Sequence, residues 1–345
     1  MCERRRPPRA ELTSGDAIGA HTLLLRDVFV EQGASVRFVA EEPSSLADEV
    51  IVLSAWKKPG DLVVLQHGIG SQLAATVIER QLPVVLNYHN ITPPEFVEAW
   101  DAGHVAGLRW GRRQLHQLAP FARRAVADSQ YNANELIDVG FSDVRVAPVL
   151  WNVRELGAGD TDRRDPVILF VGRVTANKCQ HDLVAAMAAI GLTHPTARLV
   201  IVGSAASASY RRALDAYATR LGVAERVEFV GAVDDATLAS HLATASVFVC
   251  LSEHEGFCVP VVEAMAAGVP VIAYRAAVLP ETVAHAGIVL GDKSPSTVAT
   301  AIARILDDPV LRQYLIERGR LRAEDFSPVN SRTATRAAYD GLVPE

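Results

Sequence analysis

The chain of 345 residues is 49% hydrophobic and 21% charged, a composition that suits a globular protein with two cores rather than one. Its 34 Lys and Arg against 40 Asp and Glu give a net charge of −6, which supplies no cationic field for a nucleic-acid backbone. Apolar runs such as 246–251 and 259–262 are too short to span a bilayer, and residues 1–10 lack the apolar stretch of a signal peptide, so a cytoplasmic protein is expected.

Along the chain, residues 17–31 form an amphipathic stretch that predicts a helix. The β-rich runs SVRFVA (35–40), DLVVLQH (61–67) and PVVLNYH (83–89) follow, with a helix near 71–80 between the last two. A long helix is expected over 108–124, then AVADS, a helical NANELIDVG and the run DVRVAPV. Residues 155–165 (ELGAGDTDRRD) are polar and contain glycine, the composition of a linker. Beyond them the alternation sharpens. The runs PVILFVG, RLVIVG, RVEFVG, SVFVCL, VPVIAY and GIVL are interleaved with helical segments near 178–190 and 210–221, with ATLASHLATA, with a short helix, and with a final helical pair over 294–322. Strands alternating with helices of this length predict βαβ units on parallel sheets buried on both faces, an α/β doubly wound class. The expected organisation is a first domain over 1–154, a linker over 155–165, a second domain over 166–322, and a terminal segment over 323–345 that is free to cross back to the first domain.

One stretch resists this pattern. The segment MCERRRPPRAELTS before Gly15 carries four arginines and two prolines and no apolar run. A central parallel strand reads as continuous hydrophobics and excludes Pro, so the first domain is expected to lack its first strand.

In open parallel sheets, ligands sit beyond the carboxyl ends of strands, and the loops there carry the unusual residues. EHEGFCVPVVEAMAAGVPVIA (253–273) follows an apolar strand, turns through Glu255, Gly256, Phe257 and Cys258, and enters a helix with Pro260 in its first turn. Free N–H groups and the positive end of a helix dipole suit a diphosphate, and two carboxylates, Glu255 and Glu263, lie within reach of one ligand. FVGRVTANKCQHDLVAA (170–186) places Arg173 after a strand and Lys178 at the start of a helix, where cations clamp phosphates. Lys178 is one of only four lysines in a chain that otherwise uses Arg. In the first half, His89 follows a strand directly in LNYHNITPPEF, His67 is placed similarly in LQHGIGS, and GDAIGA (15–20) opens the first helix with Gly15 and Gly19.

The string E-G-F-C-x-P-x-x-E-A-M-A-x-G-x-P-V-I-A resembles the E-x7-E signature of the retaining GT-B glycosyltransferases (family 4-like, group 1), and Arg173 with Lys178 resembles that family's R-x4-K pair. The resemblance implies two Rossmann-like domains facing across a cleft. It implies a nucleoside diphosphate sugar as donor, held by Arg173, Lys178 and the backbone around Cys258 and Val259 at the diphosphate. Glu263 would lie at the ribose, and Glu255 with the Gly256–Phe257 backbone at the sugar. It assigns Glu255, His89, Arg173 and Lys178 to catalysis, with His89 touching the transferred sugar, and sets Gly15, Gly19 and His67 on the acceptor side. A glycan, a lipid-linked sugar or a small molecule would accept, with no cofactor and no metal. Peripheral association with the inner face of a membrane remains open.

Alternatives from the same fold are a nucleotide-sugar epimerase and a non-catalytic sugar-nucleotide-binding subunit. An N-G-V-D string common in relatives is replaced here by VLWNVREL. Asp160-Thr161-Asp162 spells a D-x-D metal triplet but sits in the polar linker, where a solvated charge run is expected. No G-x-G-x-x-G follows a strand, which disfavours a dinucleotide oxidoreductase. Cys2, Cys179, Cys250 and Cys258 form no C-x-x-C, so free thiols are expected.

Overall fold

The computed structural model describes residues 17–42, 50–152 and 165–342. The chain divides into two compact units, one of residues 1–152 with 328–345 and the other of residues 153–327. The segment before Gly15, Gly15 itself and Asp160–Asp162 lie outside the described residues.

The first unit contains α1 (Ala17–Glu31), β1 (Phe38–Ala40), β2 (Val50–Val52), β3 (Val64–His67), α2 (Gln72–Glu79), β4 (Val84–Tyr88), α3 (Ala102–Leu118), β5 (Ala122–Ala127), α4 (Gln130–Val139) and β6 (Val144–Val146). Strands β3-β4-β5-β6 form a parallel sheet in that order, and β1 pairs in parallel with β2. Alternate residues of β4 feed two cores, as a strand covered on both faces must. Leu86 and Tyr88 pack with Leu108, Leu115 and Leu136, while Val85 packs with Leu25, Val28 and Phe29 of α1.

Helix α3 begins and ends about one and a half turns before the 108–124 expected from pattern. Its start is fixed by Asp101, whose carboxylate accepts the His104 N–H at 3.0 Å, an N-cap that periodicity alone does not weigh. Its end is fixed by Pro120, which stands in a single 3-10 turn before β5. The pair β1–β2 also adds a strand, since the VIV of β2 is too short to stand out beside its polar neighbours.

The second unit contains β7 (Val167–Val171), α5 (Gln180–Ile190), β8 (Arg198–Val202), α6 (Ala208–Arg220), β9 (Val227–Gly231), α7 (Asp235–Thr244), β10 (Val247–Cys250), α8 (Val259–Ala266), β11 (Val271–Tyr274), α9 (Leu279–Val283), β12 (Ile288–Leu290), α10 (Pro295–Asp307) and α11 (Pro309–Asp325). All six strands are parallel, in the order β12-β11-β10-β7-β8-β9. The chain lays β7, β8 and β9 outward on one side, then returns to place β10, β11 and β12 on the other. The strand order therefore reverses between β7 and β10, the switch point beyond which open α/β sheets hold ligands. At the carboxyl ends of β7 and β8 the backbones press together. A Cβ on Gly203 (φ +141) would sit 2.6 Å from the Gly172 carbonyl carbon and overlap its oxygen, so only glycine fits.

The last helix, α12 (Pro328–Ala338), belongs to the first unit. Ala338 and Tyr339 join the core of Phe29, Val126 and Leu150, and Arg332 and Arg336 both pair with Glu31 of α1. Among the described residues, no helix is long and apolar enough to cross a membrane.

Candidate functional site

In the second unit, the two motif-bearing loops are those that leave the switch-point strands: residues 172–179 after β7 and 251–258 after β10. They are laced together by backbone. The Glu253 N–H donates to the Asn177 carbonyl at 2.9 Å, and the buried Asn177 side chain donates to the His254 carbonyl at 3.2 Å. Gln180, wholly buried at the start of α5, donates to the Arg173 carbonyl at 3.0 Å. This lattice brings the Lys178 ammonium onto the Glu255 carboxylate in an ion pair whose side chains are 18% and 9% exposed. Burial works against the Lys178 ammonium, but the Glu255 carboxylate and the Cys258 and Cys250 sulfurs together outweigh it and raise its pKa above the usual lysine value. The cation is intact at neutral pH. Arg173, in the same loop, is exposed and, among the described residues, makes no side-chain ion pair.

The turn into α8 is fixed from both sides. Thr282 of α9 donates to the Phe257 carbonyl at 2.9 Å, and the Phe257 ring meets Phe326 edge-on at 5.2 Å. Cys258 then adopts φ +69 as the residue before α8, whose first turn has no side-chain cap. Pro260 has no N–H and Val261 donates its own to the Cys258 carbonyl at 3.0 Å, so the amides offered at the positive end of the helix are those of Cys258 and Val259. Glu263 lies one turn further in and is buried.

A second group of charges, absent from the sequence expectations, supports the same loops. Lys293, after β12, reaches Glu253 at 2.6 Å, Asp182 at 2.9 Å and the Cys179 sulfur at 3.2 Å. Burial lowers its pKa, but the hydrogen bonds to Glu253 and Asp182 raise it by more. Burial pushes the Cys179 thiol up to about 12, against the pull of Lys293. Two groups, Cys179/His181/Asp182 and Cys250/Glu255/Cys258, bring three potential metal ligands within 4.8 Å among the described residues. Each faces an ammonium, Lys293 in the first and Lys178 in the second, so a cation there would meet a like charge.

In the first unit, the candidate residues fall into a buried polar layer at the carboxyl ends of β3, β4 and β5. His89 has both ring nitrogens engaged, Nδ1 with Asp128 at 2.9 Å and Nε2 with Gln66 at 2.6 Å. Leu150 donates its N–H to Nδ1 of His21 at 2.9 Å, and Nε2 of the same ring stands 2.8 Å from the Asn87 side-chain amide. Burial holds His21 neutral, its pKa well below the usual value. His67 is sealed, with Nε2 3.1 Å from the Gly111 carbonyl of α3, and burial lowers its pKa to about 4 despite that hydrogen bond. Gly19 is buried within α1. The structure brings His67 and His89 onto neighbouring strand ends and adds Gln66, Asn87 and Asp128, which the sequence expectations did not single out.

Residues 157–322 match the family model described as Glycosyl transferases group 1. The second unit is a group 1 glycosyltransferase domain. The chain is 30% identical over 242 residues to the D-inositol 3-phosphate glycosyltransferase of Segniliparus rotundus, covering 66% of this chain and 52% of that one. It spans about half the length of the curated relatives it matches. Among solved structures, sucrose-phosphate synthase from Thermosynechococcus elongatus aligns with a TM-score of 0.77 and 22% identity over 98% of this chain and 99% of that one. Anabaena HepE, solved in complex with UDP-glucose, aligns with a TM-score of 0.66 and 22% identity over 78% of this chain and 75% of that one. At such identity the likeness concerns the fold, which is the GT-B fold that the motifs imply. The group 1 domain therefore accounts for the chain segment that holds Arg173, Lys178, Glu255 and Glu263.

Proposed function

We propose that this protein is a retaining glycosyltransferase that moves a sugar from a nucleoside diphosphate sugar to an acceptor without a metal. The observation that carries the proposal is the pairing of Lys178 with Glu255 between the two switch-point loops, one of which also bears Arg173 and the other of which leads into the uncapped α8 N-terminus. A diphosphate laid against the Cys258 and Val259 amides receives hydrogen bonds from the helix end and charge from Arg173 and Lys178. Glu263 takes the ribose hydroxyls, and Glu255 with the Gly256–Phe257 backbone takes the sugar. As the glycosidic bond breaks, negative charge grows on the leaving diphosphate. Fixed cations and a helix N-terminus stabilise that charge more in the transition state than in the ground state. Because Glu263 is assigned to the ribose, the motif's two glutamates do not serve as the acid and nucleophile of a double-displacement glycosidase, and the family resemblance implies substitution on the face the leaving group departs from. Acceptor recognition falls to the first unit.

A thermal-shift screen against UDP, GDP, ADP and dTDP identifies the base, since a ligand that binds the native state raises Tm. Product analysis with the matching donor sugars then tests the reaction, with and without EDTA. A new glycoside of unchanged anomeric configuration, formed equally in EDTA, is expected. An isomerised donor would make the protein an epimerase, no turnover a binding subunit, and activity restored to the EDTA-treated protein by Mg²⁺ or Mn²⁺ would refute metal independence.

A further inference from the structure

Two thiols meet at the turn on which the proposed donor site depends. Cys250 ends β10, Cys258 precedes α8, and their sulfurs stand 3.9 Å apart. Residues 251–257 between them form neither helix nor strand and include Gly256. A disulfide needs sulfurs at about 2.0 Å, a gap that side-chain rotation and a small movement of this turn can close. Cys250 is buried and Cys258 half-buried, so Cys258 is the more accessible of the two.

We propose that Cys250 and Cys258 are a reversible disulfide site, oxidised by a small-molecule disulfide, and that closing it disables the nucleotide site. In the first step the Cys258 thiolate attacks one sulfur of the small disulfide, forming a mixed disulfide and releasing one small thiolate. In the second, the Cys250 thiolate attacks the Cys258 sulfur and expels the second small thiolate. Two protein thiols are oxidised, one small disulfide is reduced to two thiols, and the two protein protons pass to the released thiolates. The Cys258 S–H donates to the Cys250 sulfur, which lowers the Cys250 thiol and raises the Cys258 thiol, so Cys258 becomes the nucleophile by passing the shared proton to Cys250, and the Lys178 ammonium beside both favours the thiolate.

The second half of the proposal rests on the donor-site reading. Drawing Cys258 toward the end of β10 moves the Cys258 and Val259 amides and shortens the turn that carries Glu255. Hydrogen bonds to a diphosphate tolerate only a few tenths of an ångström around about 2.9 Å, so the oxidised protein binds nucleotide poorly.

The test equilibrates the whole protein with oxidised and reduced glutathione, alkylates free thiols after unfolding, and digests with trypsin. The sequence puts both cysteines in one peptide, residues 227–275, and Cys2 and Cys179 in others. Oxidation should leave that peptide unalkylated and lighter by two hydrogens, reversibly, while Cys179 is alkylated. Cys250→Ser, or Cys250→Ala if the serine variant does not fold, should abolish the loss. A peptide alkylated at both cysteines throughout, or stalled as the glutathione adduct, would overturn the site. Thermal shift with UDP, GDP, ADP and dTDP reads the coupling. Affinity should fall about tenfold or more on oxidation of the wild type and return on reduction. Equal affinity in the two redox states overturns the coupling alone. A reduced protein that none of the four nucleotides stabilises refutes the donor-site reading and the coupling with it, while the peptide mass still decides the disulfide.

Discussion

Replacing Lys178 by alanine separates what the Lys178–Glu255 pair does for stability from what it does for a ligand. The Lys178 side chain is 18% exposed and that of its partner 9%, which puts the pair between a solvated surface bridge and a fully buried one. Exposed pairs contribute at most about 1 kcal/mol, whereas breaking a buried pair costs about 3–5 kcal/mol because a charge is left unpaired. Lys178→Ala should therefore cost about 2–3 kcal/mol, or about 4–12 °C in Tm for a unit of this size. Glu255→Gln in the same chain should restore a large part of it, since the stranded charge is gone. Nucleotide binding should behave differently. Loss of one charge-assisted contact to the diphosphate weakens affinity about ten- to a hundredfold, and Glu255→Gln does not restore it. Differential scanning calorimetry gives the first quantity and isothermal titration the second. Recovery of nucleotide affinity along with stability in the double variant would refute a direct contact between Lys178 and the diphosphate.

Arg173→Ala, by contrast, should lower nucleotide affinity about tenfold while leaving Tm unchanged, because its side chain is exposed and has no ion-pair partner among the described residues; a matching loss of Tm would assign it a structural role. Glu255→Gln should depress turnover more than nucleotide affinity, and Glu263→Ala should weaken the free nucleotide; the reverse pattern in parallel kinetics and titration means that the two roles are exchanged. Gly203→Ala forces a Cβ against the Gly172 carbonyl, and the resulting backbone shift should destabilise the second unit by about 1–3 kcal/mol, an effect absent from the unfolding midpoint if the strand ends are free to part. His67 is neutral in the native state to about pH 4, against an ordinary value of 6.5, so the unfolded chain binds more protons in between and stability falls as pH drops through that window. The stability difference between wild type and His67→Asn should shrink by about 2–3 kcal/mol between roughly pH 7.5 and 4.5, and a constant difference in urea titrations would refute the buried neutral ring.

The loops after β7 and β10 were legible because parallel strands buried on both faces leave continuous hydrophobic runs, and everything polar at their ends stands out against them. Gly172-Arg173 and Glu255-Gly256-Phe257 are such ends, and the family resemblance rests on the same residues. What escaped is of another kind. Thr282 holds the Phe257 carbonyl from α9, Asp128 holds His89 from β5, and Asn177 bridges to residue 254; in each case the partner is distant in sequence and ordinary in type. The boundaries of α3 were missed for a local reason, because the helical period continues through residues where Asp101 and Pro120 decide the ends.

Lys293 marks the limit most clearly. The scarcity of lysine that drew attention to Lys178 applied equally to Lys293, yet no recognised motif surrounds it and it follows a three-residue strand at the edge of the sheet. Only the fold explains why this position needs a cation. Residue 253 comes from the loop after β10 and residue 182 from the first turn of α5, so two carboxylates from separate elements converge near a buried thiol. Arg would bring a wider, planar head with its donors spread over a fork, whereas the compact ammonium reaches both carboxylates and the Cys179 sulfur from one point. Two of the chain's four lysines thus stand where a small cation is enclosed by several acceptors, while Lys57 and Lys58 are exposed. Lys178, enclosed by Glu255 and the two sulfurs of the α8 turn, fits the same rule. On this argument a rare residue type carries information through the shape of the space it fills, and the motif only reveals one of the two places where that space exists.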